Sequence, residues 1–475
     1  MTPAEIVARN AAALDRRRPL EPVWQDCYDH ALPPPTGRPA LFDATAADAA
    51  EQLAASLLAE LTPPWSRWFG LVPGRPLVES PQRQAAARTL EDAATTLQGH
   101  FDRSNFVIEM HQAFLDLVVA GTGVLLVEEA PLGEASAFRF TAVPLRSAVL
   151  EEGVTGRLDT VYRQSRLTAA AIRRRHPNAE LPPELARAAA TDDPATHPVL
   201  EAVWPDRGAV RYAALLAADP PVLLAEGRFA ENPCIAFRWL KAPGELYGRS
   251  PVMKALPDIR TANKVVELVL KNASIAVTGI WQAEDDGVLN PATVKLVPGA
   301  IIPKAPGSSG LTPLAAPGNF DISQLVLTDL RTRIRATLLA DRLGPLQDAR
   351  MTATEVLERG AQTARLLGAT YGPLQAELLT PLVTRCLAIL RRRGEVPAVL
   401  PDGREAELRY ESPLARVQGR ADAANTLLFL QSVASLGGQA AAQVDAAAAT
   451  RWLARTLGAP AEVLVPEALP NPIRE

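Results

Sequence analysis

The sequence predicts an α+β chain that is mainly helical, and three observations predict it. Alanine and leucine are abundant in a chain that is 48% apolar but only 5% aromatic, which favours helix. Apolar residues recur at three- and four-residue spacing before residue 121 and again after residue 251. Between these regions, residues 123–241 change period to short, turn-bounded, β-rich runs. A length of 475 residues exceeds one ordinary domain, so two or three substructures are expected.

Residues 3–17 and 21–32 read as two short helices, the second stopped by Pro33-Pro34-Pro35. Thr45, with Asp48 three residues on, resembles a capping box ahead of Leu53, Leu57, Leu58 and Leu61, and Pro63-Pro64 ends that helix. Ser80-Pro81 forms an N-cap and N1 pair. Ser104 can cap a further helix, with Phe106, Met110, Phe114 and Leu117 on one face and Gly121 as its stop. Strands fit 123–129, 137–144, 147–152, 156–164, 198–204, 208–216, 221–226 and 234–240, interrupted by one small helix, TAAAIRRRH. This is a mostly antiparallel region laid on the N-terminal helices.

The stretch YGRSPVMKALPDIRTANK, 247–264, opens a long helix. Gly248 allows a turn, Pro251 and Pro257 set φ near the helix start, and Asp258 suits the first-turn dipole. Ile259, Ala262, Val266, Val269, Ala273 and Ala276 form one face of about 20 residues, roughly 30 Å long. The opposite face carries Arg260, Lys264, Glu267, Lys271 and Ser274. Residues 280–323, rich in proline and glycine, read as a small β-and-loop insert. A second helix follows, with Leu327, Leu330, Ile334 and Leu338 apolar and Arg331, Arg335 and Arg342 along one stripe. DRLGPLQDAR, 341–350, breaks it. Residues 352–393 form a very long helical segment that Pro373 and Pro381 should kink or divide. A hairpin is expected over 396–411, around Pro401-Asp402-Gly403, and alanine-rich helices fill the last 60 residues.

Composition and motifs exclude several function classes. A net charge of −4 is wrong for a basic nucleic-acid binder. Cys27, Cys234 and Cys386 lie far apart, so no disulfide framework or zinc site is suggested. The first residues are no signal peptide, and no uncharged apolar run reaches 18 residues. Neither a phosphate-binding loop nor a Gly-x-Ser-x-Gly elbow occurs. The five histidines have no metal-ligand spacing, and a helix places His111 and Glu109 on different faces. Gly121-Thr122-Gly123 reads as a helix stop before a strand, and Glu128-Glu129 and Asp285-Asp286 as solvated turn charges. The arginine triplets 16–18, 173–175 and 391–393 lie near helix C-termini, where cations suit the dipole. No catalytic, cofactor-binding or metal residue is assigned, and no cofactor or enzyme activity is expected.

Four segments, in order, resemble one family. LFDATAADAAEQLAASLLAELTPPWSRWFGL (41–71), FLDLVVAGTGVLLVEE, NPCIAFRWLKAPGELYGRSPVMKALPDIRTANK and ARMTATEVLERG are similar to blocks of portal proteins of short-tailed, podovirus-type phages, the head-to-tail connectors; SPLARVQ (412–418) also fits. The resemblance spans nearly the whole chain. It implies a homo-oligomeric ring, usually of twelve copies, at one capsid vertex of the virion, assembled in the host cytoplasm. Double-stranded DNA passes through its channel during packaging and ejection, without base-specific contacts. Implied partners are the terminase large subunit, whose ATPase supplies the energy, the major capsid protein and a tail adaptor, with no membrane.

The implied portal fold has an α/β wing (1–250), stem helix one (251–279), a clip (280–323), stem helix two (324–341) and a tunnel loop (342–352). A long kinked wing helix with its β-hairpin (353–411) and a helical crown with a tail (412–475) complete it. Arg331, Arg335, Arg342, Gln347 and Arg350 are the implied channel and tunnel-loop residues, and Arg260, Lys264, Glu267 and Lys271 the stem polar face. Arg331, Arg335 and Arg342 could instead pair with acidic residues of the neighbouring stem such as Glu267. Glu284, Asp285, Asp286, Lys295 and Lys304 are the implied clip contacts. Six to ten phosphate contacts change affinity by roughly 10³–10⁵ between low and moderate salt. A dozen subunits reach that with one arginine each, so a slightly acidic chain lets DNA slide. Two other readings stand beside this one: a DNA-processing enzyme such as a nuclease, and a pore-forming helical protein.

Overall fold

The computed structural model describes residues 1–33, 41–64, 66–74, 80–191, 193–278, 281–283, 306–307, 311–313, 320–340, 371–397, 406–410, 413–436 and 443–457. Helix α1 (Pro3–Arg17) and helix α2 (Glu21–Ala31) are joined by a 3₁₀ turn, and α3 (Thr45–Leu61), α4 (Ser80–Asp102) and α5 (Phe106–Ala120) follow. The capping box lies at the first helix, where Thr2 Oγ1 accepts from Glu5 N–H and the Glu5 carboxylate accepts from Thr2 N–H. It is not at Thr45: the N-cap of α3 is Ala44, without a side-chain cap, and Asp43 Oδ1 accepts from Thr45 N–H at 3.0 Å. Gly121 ends α5 in the left-handed region at φ 83°, as expected of a glycine stop.

All eight expected strands form: β2 (Thr122–Glu129), β3 (Phe138–Ala142), β4 (Ala148–Glu152), β5 (Leu158–Thr168), β6 (Thr196–Asp206), β7 (Ala209–Leu216), β8 (Val222–Phe229) and β9 (Cys234–Arg238). They build a five-stranded meander, β4-β5-β6-β7-β8, and a three-stranded sheet, β3-β2-β9, with every pairing antiparallel. Helix α6 (Ala169–Arg175) is the expected small helix, and α7 (Pro183–Ala190), with Pro183 at its first turn, joins it. Both cover one face of the meander through Ile172, Leu185, Leu216 and Leu224. Helix α1 covers the other face through Ile6 and Ala13 against Tyr162, Leu200 and Leu215.

Strand β1 (Phe69–Pro73), which runs into Pro73-Gly74, is not among the expected strands, and it gives residues 396–411 a long-range partner. Strand β12 (Ala406–Tyr410) pairs antiparallel with β1, Phe69 opposite Tyr410, while the turn expected around Pro401-Asp402-Gly403 lies outside the described residues. The pairing crosses more than 330 residues, because both strands bury apolar side chains in the main core (Phe69 and Ala406 are fully buried).

Helix α8 (Pro251–Thr278) and helix α9 (Phe320–Thr337) pack on each other. Helix α9 starts four residues before the expected boundary and ends before 341, where Leu339 takes φ 56° and breaks the helical run. Between them, β10 (Trp281–Ala283) and β11 (Leu311–Pro313) pair as a ribbon that closes the insert. Toward the C-terminus, a π-helical turn (Gln375–Leu379) precedes α10 (Thr380–Arg393). The wide turn falls between Pro373 and Pro381: Thr380 N–H reaches back to Gln375 O, five residues away. Helices α11 (Pro413–Ser435) and α12 (Ala446–Leu457) contact each other. One continuous apolar core joins α3, α4, α5, β2, β9, α8, α9 and α10, so the paired helices α8 and α9 are rooted in the body of the molecule.

Candidate functional site

The root of α8 is fixed by two backbones in contact. Gly248 does not have a positive φ; its role is proximity. A Cβ on Gly248 would lie 2.1 Å from Gly121 O, and one on Gly121 2.3 Å from Gly248 O. Hydrogen bonds run along this contact. Gly248 N–H donates to Thr122 Oγ1 at 2.9 Å and Trp239 N–H to Gly121 O at 3.0 Å. Ser250 is the helix cap: its Oγ accepts from Met253 N–H and donates to Val119 O, both at 2.8 Å. Tyr247 Oη accepts from Leu150 N–H at 3.1 Å, and the ring stands edge-on to Trp24.

Two sequence expectations at this root need correction. Pro251 does occupy the first turn, but Pro257 lies inside the helix, so its missing N–H leaves Met253 O without its helical donor. Asp258 is therefore beyond the first turn, and it accepts from Arg333 on α9 at 2.8 Å.

The chain just before α3 clamps both α8 and α9. Asn263 Oδ1 on α8 accepts from the N–H groups of Phe42 and Asp43 at 2.7 and 3.1 Å. Asp43 Oδ2 accepts from Arg331 Nε on α9 at 2.8 Å. Burial alone would push the Asp43 carboxyl up, but hydrogen bonds from Thr45 and Arg331 outweigh it and hold it below its usual value. Along α8, Val252, Ile259 and Ala262 are buried, Val266 is half-buried and Leu268 and Leu270 are exposed. Along α9 the order reverses, from exposed Leu325 and Val326 to buried Leu338. With the Asp258–Arg333 pair, these gradients make α8 and α9 an antiparallel pair whose far end projects.

Among the expected stem residues, Lys264 and Lys271 converge on Glu267 at 2.9 and 2.6 Å. Hydrogen bonds from Lys271 and then Lys264 draw its carboxyl down to about 2. Arg260 pairs instead with Asp26 on α2. Arg331 is held by Asp43 of its own chain rather than by Glu267, while Arg335 is exposed and has no ion-pair partner among the described residues. Arg342, Gln347 and Arg350, and with them Glu284, Asp285, Asp286, Lys295 and Lys304, lie outside the described residues.

The arginine triplets do more than face a helix dipole. Arg17 is buried and donates to Glu21 and to the carbonyls of Leu145, Arg146 and Ala148, tying α1 to the sheet. Arg392 and Arg393 both engage Glu129, so that glutamate is not a free turn charge. Sequence reading missed Arg238, fully buried on β9, which pairs with Glu377 in the π turn and with Glu152. Glu377 also accepts from Arg238 N–H, so the widened turn supplies the partner that a buried guanidinium requires. The signal was a lone charge inside an otherwise apolar strand, Cys234–Arg238. Among the described residues, no group of three His, Cys, Asp or Glu could hold a metal, and no helix is long and apolar enough to cross a membrane.

The family profile described as "Bacteriophage head to tail connecting protein" matches residues 4–464. The "Probable portal protein" of Bordetella phage BPP-1 is 26% identical over 454 residues, covering 90% of this chain and 80% of its own length. The "Portal protein" of Escherichia phage T7 is 24% identical over 176 residues, 36% of this chain and 33% of its own. In the solved structure "Neck of native GTA particle computed with C12 symmetry", a chain 11% identical covers 90% of this one, with 91% of itself matched, at a TM-score of 0.40. In "Virion of native gene transfer agent (GTA) particle", a chain also 11% identical covers 85% of this one, with 88% of itself matched, at 0.41. At those TM-scores neither similarity bears on how this chain is arranged.

Proposed function

Because this chain belongs to the family of bacteriophage head to tail connecting proteins, we propose that it assembles as a portal: a closed ring at one capsid vertex whose channel conducts DNA during packaging and ejection. Opposed leucines on α8 support the ring. Leu268 and Leu270 are 48% and 52% exposed, and two residues along a helix is about 200° of rotation, so they project to opposite sides. A two-fold dimer covers one self-complementary patch, whereas a ring covers two different patches on every copy. Leu325 and Val326 extend the same apolar far end from α9.

In this reading α8 and α9 are the stem, the insert between them is the clip that meets the terminase large subunit and the tail adaptor, and the wing meets the capsid. The number of copies is twelve. Arg335, free of ion pairs among the described residues, faces passing phosphates, and the loop bearing Arg342, Gln347 and Arg350 narrows the channel. Arginine at a phosphate positions DNA without reading its bases. The chain carries no catalytic step of its own, and the terminase drives translocation.

Electron microscopy and light scattering on the purified protein test the ring. Wild type is expected as rings with a central hole. Leu268→Asp with Leu325→Asp should give folded monomers, because burying either charge between copies is unfavourable. Rings that persist in the double variant, with the same mass, would remove these leucines from the assembly. Wild-type monomers that cut DNA would favour a nuclease.

A further inference from the structure

Every other deeply buried arginine described above is saturated: Arg17 by a carboxylate and three carbonyls, Arg238 by two carboxylates. Arg385 on α10 is the exception. It is 3% exposed, yet it has no ion pair among the described residues. Its Nε and Nη1 reach only Val127 O and Glu231 O, at 3.4 and 3.5 Å, the outer limit of hydrogen bonding. The guanidinium lies 4.9 Å from the centre of the Phe229 ring. A desolvated charge held this weakly is costly.

Arg385 lines a cavity of about 380 Å³ between the two sheets and α10. Other polar groups of the cavity are engaged with one another. Glu201 is buried and pairs with Arg163 and Arg175 while accepting from Tyr212 Oη, and Glu129 is held by Arg392. Glu128, the third carboxylate of the wall, lies 3.7 Å from Arg175. Of the lining arginines, Arg385 is the one without an ion pair among the described residues, with the Glu231 carboxylate near enough to act on it but outside salt-bridge distance. A second unfulfilled group shares the wall: His176 Nε2 is buried with no hydrogen-bond partner.

We propose that this cavity binds a small oxyanion, of phosphate or carboxylate type, seated on the Arg385 guanidinium with His176 as its second contact. The planar fork of arginine matches two oxygens of such an anion. The bound anion bridges α10 to the end of α6 and replaces the two long carbonyl contacts. It stands apart from the paired helices and does not depend on the ring.

The full-length protein is titrated with inorganic phosphate and, separately, with succinate at constant ionic strength, and Tm is followed. Wild type should show a saturable rise of several degrees with at least one of the two. Arg385→Met should show none, and in anion-free buffer its Tm should equal or exceed that of wild type, because a charge without a partner is gone. Arg385→Lys keeps the charge without the fork and should need about tenfold more anion for the same rise. The proposal fails if wild type shows no saturable rise, if the rise persists in Arg385→Met, or if Arg385→Met is clearly less stable without anion.

Discussion

Replacing Gly248 by alanine should loosen the root of the paired helices by a predictable amount. The added Cβ would lie 2.1 Å from Gly121 O, where real Cβ atoms essentially never come closer than 3.0 Å. The neighbour is backbone, so the two segments must part by about 0.9 Å. That movement stretches the Gly248–Thr122 and Trp239–Gly121 hydrogen bonds, now 2.9 and 3.0 Å, beyond bonding distance, and it strains Ser250–Val119. Two to three bonds at about 1 kcal/mol each, with overpacking strain of about 1 kcal/mol, give a loss of about 3–4 kcal/mol. Hydrogen exchange read peptide by peptide is the suitable assay, because a chain of several substructures has no single unfolding free energy. Protection at residues 119–124 and 247–253 should fall about 10²–10³-fold, while the β4–β8 meander is unchanged. Gly133→Ala is the control: its φ is 97° but nothing lies within 4 Å, so it should cost only about 1–2 kcal/mol, confined to its own loop. Protection within tenfold of wild type in Gly248→Ala would refute the contact.

The clamp on α8 and α9 should depend on pH through Asp43. Its folded carboxyl titrates below the ordinary value of 3.8, so its contribution is complete above pH 3.8 and lost as pH falls through the lower, folded value. Asp43→Asn should therefore cost about 1–3 kcal/mol at pH 7, seen as faster exchange in α9, and progressively less once pH falls below the folded value; a cost that does not change as pH falls would mean that the Arg331 pair contributes nothing. Arg342→Ala with Gln347→Ala should leave rings intact but alter DNA packaging or retention in an assembled particle, and normal packaging would take this loop out of the DNA path.

Local periodicity determined much of this protein. The three- and four-residue spacing placed α1, α2, α3, α5 and α8, and the change of period at residue 123 placed eight strands in order, because each such element needs only its own residues to show which face is apolar. The four quoted segments likewise pointed to the family that the profile match now establishes. Helix α7 is legible too, from Pro182-Pro183 followed by strong helix formers.

Pairings over long distances were decided by the tertiary structure alone. Strand β12 takes β1 as a partner more than 330 residues away, and nothing in its own sequence names that partner. Gly248 read as a flexible turn because a sequence shows a missing side chain but not the backbone pressed against it. The same limit applies to charge. Arg331 looked like an open stripe until Asp43 was brought beside it, and Arg385 looked like any helical arginine until folding enclosed it without an ion pair among the described residues. A side chain's chemistry is written in the sequence, but its solvation and its partner are set only when the chain closes around it.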